Sequence, residues 1–390
     1  MGCCTNLAHF ANHIGVRHFL QAQPALYFLT PDRRCSSFAA DALPAPLHLA
    51  RAFAFAHFLG TADKLAIGWG LAALKATPAE HDEAFLPWLQ RHQQPERAIR
   101  RFWNLVLVSA LNESIDRVGL RYARKVFVDG FLRHPRGFQV EVPTVPLGRL
   151  YGDELERWLH AHQVQVDLGT GVKQLVLKDG KIEGVLLRDG TVLPADWVVS
   201  ALPWHRLLDV LPETVVEATP VFRRLRELEP SPITSVHCWF DSAITALPHV
   251  VLVDTLGQWL FNRGEGTPGE HYVQVVISAS RDLRELGHEA IQNRVVTELR
   301  QLFPAAESAR LLRCRVITEH HATFSPVPGV DRLRPAQGSP IPNLILAGDW
   351  TATGWPATME GAVRSGYLAA GELCRRLGEP RDFLQPELGS

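Results

Sequence analysis

The stretch that most constrains the fold is residues 343–366, NLILAGDWTATGWPATMEGAVRSG. Its first four residues after Asn343 form a short apolar run, fit for a parallel strand buried on both faces. The run ends in glycine, and open α/β sheets bind ligands outside the carboxyl ends of their strands. Gly348 permits close approach of a ligand to the backbone, and Asp349 is placed to accept hydrogen bonds from sugar-type hydroxyls. Pro356 is expected at the first position of the following helix, where its fixed φ fits and its missing N–H is not needed. The amides near Thr358 to Glu360 then lie at the positive end of that helix. Gly361, Ser365 and Ala369 recur at i, i+4, with Ala362, Gly366 and Ala370 one residue on, and such rows of small residues let a helix pack close to its neighbour. On spacing alone, a plain strand followed by a packed helix fits as well as a ligand site.

The chain has 390 residues, 46% of them hydrophobic, enough for two domains with sizeable cores. Its 40 Lys and Arg balance 41 Asp and Glu with no basic block, which argues against a nucleic-acid partner. Cys3, Cys4, Cys35, Cys238, Cys314 and Cys374 include no C-x-x-C pair and no zinc-ligand spacing, so reduced thiols in the cytoplasm are expected and no metal. Apolar runs such as 52–62 and 102–112 are too short to span a bilayer.

Residues 1–145 read as mainly helical, with apolar periodicity at 47–59 and 99–111 and no Val/Ile-rich strand. From Val164 the texture becomes β-rich: VQV, KQLVL, KIEGVLL and TVLPADWVVSA. Asp179-Gly180 and Asp189-Gly190 predict two consecutive type I′ hairpins, hence a three-stranded meander that ends in DWVVSALP and leaves the sheet at Ala201 and Leu202. Strand-like TSVHCWF, QWLF and HYVQVVIS and a helical HEAIQNRVVTELRQLF follow, and the Pro/Gly cluster 326–342 reads as a linker.

The stretches NESIDRVGLRYARKVFVDGFL, VEVPTVPLGRLYGDELERWL, QWLFNRG, ATFSPVPGVDRLRP and LAGDWTATGWPATMEGAVRSGYLAA together resemble the squalene-associated FAD-dependent desaturases, or hydroxysqualene dehydroxylases, relatives of phytoene desaturases and amine oxidases. The resemblance covers essentially the whole chain. It implies an α/β fold of the two-domain, FAD-dependent amine-oxidase type with interleaved domains: a helical substrate or lid region at 1–145, an FAD-binding segment with the meander at 146–206, a substrate domain at 207–337, an FAD-binding strand-loop-helix at 338–378 and a tail at 379–390. It implies FAD contacts through the backbone of Val172 at the adenine, Asp349 at the ribityl or phosphate region and the amide of Met359 at the flavin ring, with Ala201, Gly348, Trp355, Pro356 and Glu360 around them. Amides near Thr358 to Glu360 would stabilise the negative charge that a flavin's pyrimidine edge gains on reduction.

The activity implied is reductive removal of the hydroxyl of hydroxysqualene to give squalene for hopanoid synthesis. A related carotenoid or polyene desaturase, or an amine oxidase, is the enzymatic alternative; a catalytically silent protein that binds lipid or a pathway partner is the other. No residue is assigned as the catalytic acid. The implied partners are a long isoprenoid and squalene-pathway enzymes, at the inner face of the membrane.

Members of this family begin with a strand, a G-x-G-x-x-G loop, a helix and a ribose-binding acid, followed by the place where this chain starts, MGCCTNLAHF. The expectation is therefore that the βαβ unit is missing, through a start assigned downstream or a truncated product, and that this form retains little FAD. GWGLAA at 68–73 fits G-x-G-x-x-A formally, but it lies in an Ala- and Leu-rich helical stretch and reads as close helix packing. His9 and His13 have a ligand-like i, i+4 spacing, yet Phe10 stands where H-E-x-x-H needs glutamate, and a packed or solvated pair is expected. His320 and His321 read as surface histidines, and Glu360 as a complement to its own helix dipole. Residues 43–75, apolar with few charges, fit equally a lid lying on a membrane and a set of buried core helices.

Overall fold

The structure, a computed structural model, describes residues 1–389 and divides into two compact units. The first comprises 1–22, 141–229 and 329–390; the second comprises 23–140 and 230–328. The chain therefore interleaves as the sequence suggests, at different boundaries. The first 22 residues and 207–229 fall in the first unit, and the last crossing is at 328/329.

The second unit is built on a seven-stranded sheet in the order Leu311–Phe324, Pro230–Phe240, Glu270–Ser278, Trp259–Thr267, His249–Leu252, Leu26–Leu29, Cys35–Phe38. Two of these strands come from the region read as mainly helical. Their runs of four residues are too short to show a period, and Leu26–Leu29 becomes a strand by pairing in parallel with His249–Leu252, more than 200 residues away in sequence. One face of the sheet carries Val236, Cys238, Phe240, Leu260, Val273, Val275 and Ile277. It packs on the apolar stripe Ile291, Val295, Leu299 and Leu302 of helix His288–Leu302, which the periodicity correctly marks. The alternate residues Trp239, Tyr272, Trp259 and Phe261 face the other way and remain half-buried, as strand pleating requires.

The NESIDR motif is structural. Asn112, at φ 53°, donates to Ser231 O and Thr323 Oγ1, and fully buried Glu113 takes both arms of Arg281 at 2.6 and 2.8 Å. The 68–73 run lies within helix Thr61–Ala76, where a Cβ on Gly70 would come within 2.9 Å of Gln94 and Trp103, so this glycine serves helix packing. Along 43–75, Leu43, Leu47, Phe55, Leu65 and Trp69 are exposed.

In the first unit, strand Leu344–Leu346 is buried throughout and pairs in parallel with Val198–Ser200. The meander is Val172–Lys178, Lys181–Leu187 and Val192–Pro194, so the strand within DWVVSALP belongs to a different sheet from the one expected. Asp179 and Gly180 both have positive φ, as a type I′ turn demands, whereas in the second turn only Gly190 does. That turn is closed by Leu187 N to Thr191 O and by the Asp189 carboxylate accepting from Thr191 N, which lets Asp189 keep negative φ. VQV at 164–166 is exposed and outside any strand. The supposed linker is instead packed, with Arg334, Gln337, Ser339 and Ile341 buried and Leu346 N donating to Gln337 O.

Candidate cofactor site

The strand Leu344–Leu346 delivers the chain to Gly348, whose φ of +130° is open only to glycine and where a Cβ would lie 2.3 Å from Trp350 Nε1. The Trp350 indole donates to Leu202 O at 3.0 Å, tying this turn to the segment that leaves the neighbouring strand at Ala201. Thr351 N and Oγ1 both return to Gly348 O, which closes the turn.

Helix Met359–Arg376 starts later than expected. Thr358 is its N-cap, accepting from Gly361 N at 3.0 Å, and Pro356 lies in the preceding turn rather than at the first helical position. The reason is steric: a Cβ on Gly361 would come within 2.6 Å of Pro356 O, so the proline turn folds back against the helix start. Gly361, Ser365 and Ala369 form the buried row, while Ala362 and Gly366 are exposed. Ser365 Oγ accepts from Gly348 N at 2.8 Å and donates to Ala362 O, so the helix also fixes the strand end.

Six of the eight residues marked by the sequence come together here: Gly348, Asp349, Trp355, Pro356, Met359 and Glu360. Ala201, exposed, follows Ser200, whose strand partner is Leu346. Val172 opens the meander, in another sheet. Two of the six direct their side chains elsewhere. Trp355 is buried with its Nε1 on Glu387, and the fully buried Glu360 accepts from Asn6 N, Asn6 Nδ2 and Leu7 N at 3.2, 2.9 and 2.7 Å. Glu360 thus caps the first turn of helix Thr5–His13 rather than complementing its own helix.

The Asp349 carboxylate is bonded by no other side chain among the described residues. Burial raises its pKa, opposed by the nearby Arg334 cation and by the Trp350 amide. Sequence reasoning missed Arg334, which lies in a Pro-rich stretch that carries no periodic signal. Its buried guanidinium donates to the main-chain oxygens of Asp349, Thr351 and Trp355 and to Thr353 Oγ1 at 3.0, 2.6, 2.8 and 3.1 Å. Sequence reasoning also missed Ser200, whose buried Oγ has no hydrogen-bond partner among the described residues.

These features fit the ring and ribityl end of a flavin. A glycine opens the strand end, an orphaned hydroxyl stands beside it, a carboxylate is left without a side-chain partner, and the N–H groups of Met359 and Glu360 meet no acceptor among the described residues. Among the described residues no strand runs through a G-x-G-x-x-G turn into a helix, so no glycine-rich cradle for the diphosphate end is present there.

His9 and His13 stack at 6.0 Å, His9 Nδ1 is bonded to Tyr367 Oη, and no metal-binding cluster exists among the described residues. His320 and His321 are exposed on strand Leu311–Phe324.

Solved structures place this architecture among flavoenzyme folds. An oxidoreductase from Methanosarcina mazei aligns with a TM-score of 0.66 at 15% identity, over 92% of this chain and 83% of that one. Putrescine oxidase bound to putrescine gives 0.66 at 13% identity, over 95% and 86%. The fold class is thus the two-domain α/β fold of FAD-dependent amine oxidases. Residues 3–374 match the family described as flavin containing amine oxidoreductase, and the chain belongs to that family. FAD is its cofactor.

Among curated proteins, the 15-cis-phytoene desaturase of Synechococcus elongatus is 27% identical over 86% of this chain and 75% of its own length. The zeta-carotene desaturase of Synechocystis is 22% identical over 95% and 84%. The tomato 15-cis-phytoene desaturase is 30% identical, but the match spans 53% of this chain and 37% of that enzyme. The protein is a flavin oxidoreductase of the carotenoid desaturase and amine oxidase kind.

Proposed function

We propose that this flavoprotein reduces hydroxysqualene to squalene, removing an allylic hydroxyl from a long isoprenoid. The observation that carries a hydrocarbon substrate is the open face of the seven-stranded sheet. There Trp259 stacks on Phe261 at 5.5 Å and Trp239 on Tyr272 at 4.8 Å, two aromatic pairs against which an unsaturated chain can lie. The resemblance of GDWT and GWPATMEGAV to the dehydroxylases supports the finer assignment.

When bound, reduced FAD supplies the hydride. The chain's own residues do the rest. Asp349 would hold hydroxyls of the ribityl chain, and the free Met359 and Glu360 amides would stabilise negative charge on the reduced ring. The departing hydroxyl would take a proton from solvent and leave as water.

Incubating the protein with hydroxysqualene and chemically reduced FAD, and extracting the lipids for mass spectrometry, tests this. Squalene is expected; its absence defeats the reading. A second reading, a polyene desaturase working oxidatively, is favoured by the names of the similar curated enzymes. Loss of hydrogen from phytoene in the same assay would select it.

The substrate also implies access from a bilayer. On helix Thr61–Ala76, Leu65 and Trp69 are 73% and 72% exposed one turn apart, and Phe55 nearby in sequence is 67% exposed. Large apolar side chains exposed in this pattern fit a face that lies on lipid, and no described helix is long and apolar enough to cross a membrane. Co-sedimentation with phospholipid vesicles is expected to fall about tenfold in Leu65→Glu/Trp69→Glu; equal sedimentation of variant and wild type would refute the contact.

A further inference from the structure

Arg334 is an unusual buried cation. Its side chain is 1% exposed, and its Nη1 pairs with Asp331 at 3.1 Å. It also reaches the turn that follows the buried strand: Nη2 donates to Asp349 O, Thr351 O, Trp355 O and Thr353 Oγ1, and Nε to Trp350 O at 3.4 Å. One planar fork therefore gathers four main-chain oxygens spread over seven residues. Such carbonyls turned inward without a donor would each carry a desolvation penalty.

The guanidinium holds Asp349 by its main-chain oxygen and not by its carboxylate, although an Arg–carboxylate pair is the ordinary outcome when the two are neighbours. The consequence is a carboxylate in a secluded place, with a cation nearby but no side-chain bond of its own.

We propose that Arg334 is a positioning residue of the flavin site: it fixes the 349–355 turn through its carbonyl oxygens and so presents the Asp349 carboxylate, unpaired, to the ribityl hydroxyls. Burial raises the Asp349 pKa, and the Arg334 cation is the strongest influence opposing that rise. A lysine in the same place would keep the charge and lose the planar fork that reaches several oxygens at once.

Amide hydrogen exchange and FAD titration on the full chain test this, using Arg334→Met, Arg334→Lys, Asp349→Asn and the double variant Arg334→Met/Asp349→Asn. Arg334→Met is expected to speed exchange across 349–355 by about tenfold or more and to weaken FAD binding by at least about tenfold. Arg334→Lys is expected to speed exchange likewise while recovering part of the FAD affinity. It also keeps the test readable should the methionine variant fold poorly. Asp349→Asn should leave exchange as in the wild type and weaken FAD binding, and the double variant should bind FAD no more weakly than the worse single one. Unchanged exchange at 349–355 in the Arg334 variants would overturn the proposal, as would FAD losses that multiply independently. Failure of the wild type to take up FAD would instead count against the cofactor assignment, and the exchange data would still decide whether Arg334 fixes the turn.

Discussion

At the scale of single residues, carboxylates near the flavin turn divide by what they touch. Glu360 is occupied by the first turn of helix Thr5–His13, so Glu360→Ala leaves the buried Asn6 amide and the part-buried Leu7 amide without an acceptor and is expected to cost about 2–3 kcal/mol in urea unfolding, with Glu360→Gln costing about 1. Equal stability of wild type and Glu360→Ala would remove the cap from the account. Asp349 has the opposite character. Its folded pKa is raised, so the folded state favours its protonated form, and stability falls as pH climbs from the usual carboxylate value of ~3.9 through the raised one. Asp349→Asn is therefore expected to be more stable than the wild type at pH 7, with the gain vanishing below about pH 4. A loss of stability at pH 7 would show that the carboxylate supports the fold rather than a ligand. The sequence marked both residues because each follows a glycine- or proline-rich signal. It was silent on Glu360's partner, 354 residues away, because no local pattern encodes a contact between chain ends.

Among the elements, helix Met359–Arg376 was legible from its small-residue row and from Pro356 before it, yet its start was misplaced by three residues. The position of Pro356 is set by packing of its carbonyl against Gly361, a tertiary fact, whereas the N1 preference of proline is only a local tendency. The far end of the helix is held by Glu372. Its bonds to Arg375, and then to Arg376, hold its pKa down at about 2 despite some opposing burial. Arg376 in turn donates to Ser339 O and, closer, to Pro342 O, fastening the helix to the segment before the buried strand. A depressed carboxylate stabilises the fold above its ordinary pKa and ceases to do so as pH falls through the folded one. Glu372→Gln is thus expected to lose about 1 kcal/mol at pH 7 and to unfold like the wild type near pH 2; a deficit independent of pH would contradict this. The strands Leu26–Leu29 and Cys35–Phe38 were not legible, since their identity comes from distant partners, and the second Asp-Gly turn deceived because Asp189 stabilises a different turn through its own side chain.

Across the whole molecule, interleaving of two units was readable from the change in texture at Val164 and the return to strand, loop and helix at the end. The boundaries were not, because residues such as Arg334 and Ile341 belong to the core of the first unit while sitting in a Pro-rich stretch. The chain offers contacts for the ring and ribityl end of FAD, and no glycine-rich turn for its diphosphate among the described residues. Protein purified as this 390-residue chain is accordingly expected to carry little flavin absorbance until FAD is added, and a stoichiometric yellow preparation would contradict that. The most direct test of the central claim, that the 348–361 turn is the flavin-binding element, is titration of FAD into wild type and Gly361→Ala, with thermal unfolding to confirm both are folded. The account predicts saturable binding by the wild type and a loss of about tenfold or more in the variant, whose Cβ has no room beside Pro356 O. Equal affinity in the two proteins, or no saturable binding by the wild type, would contradict it.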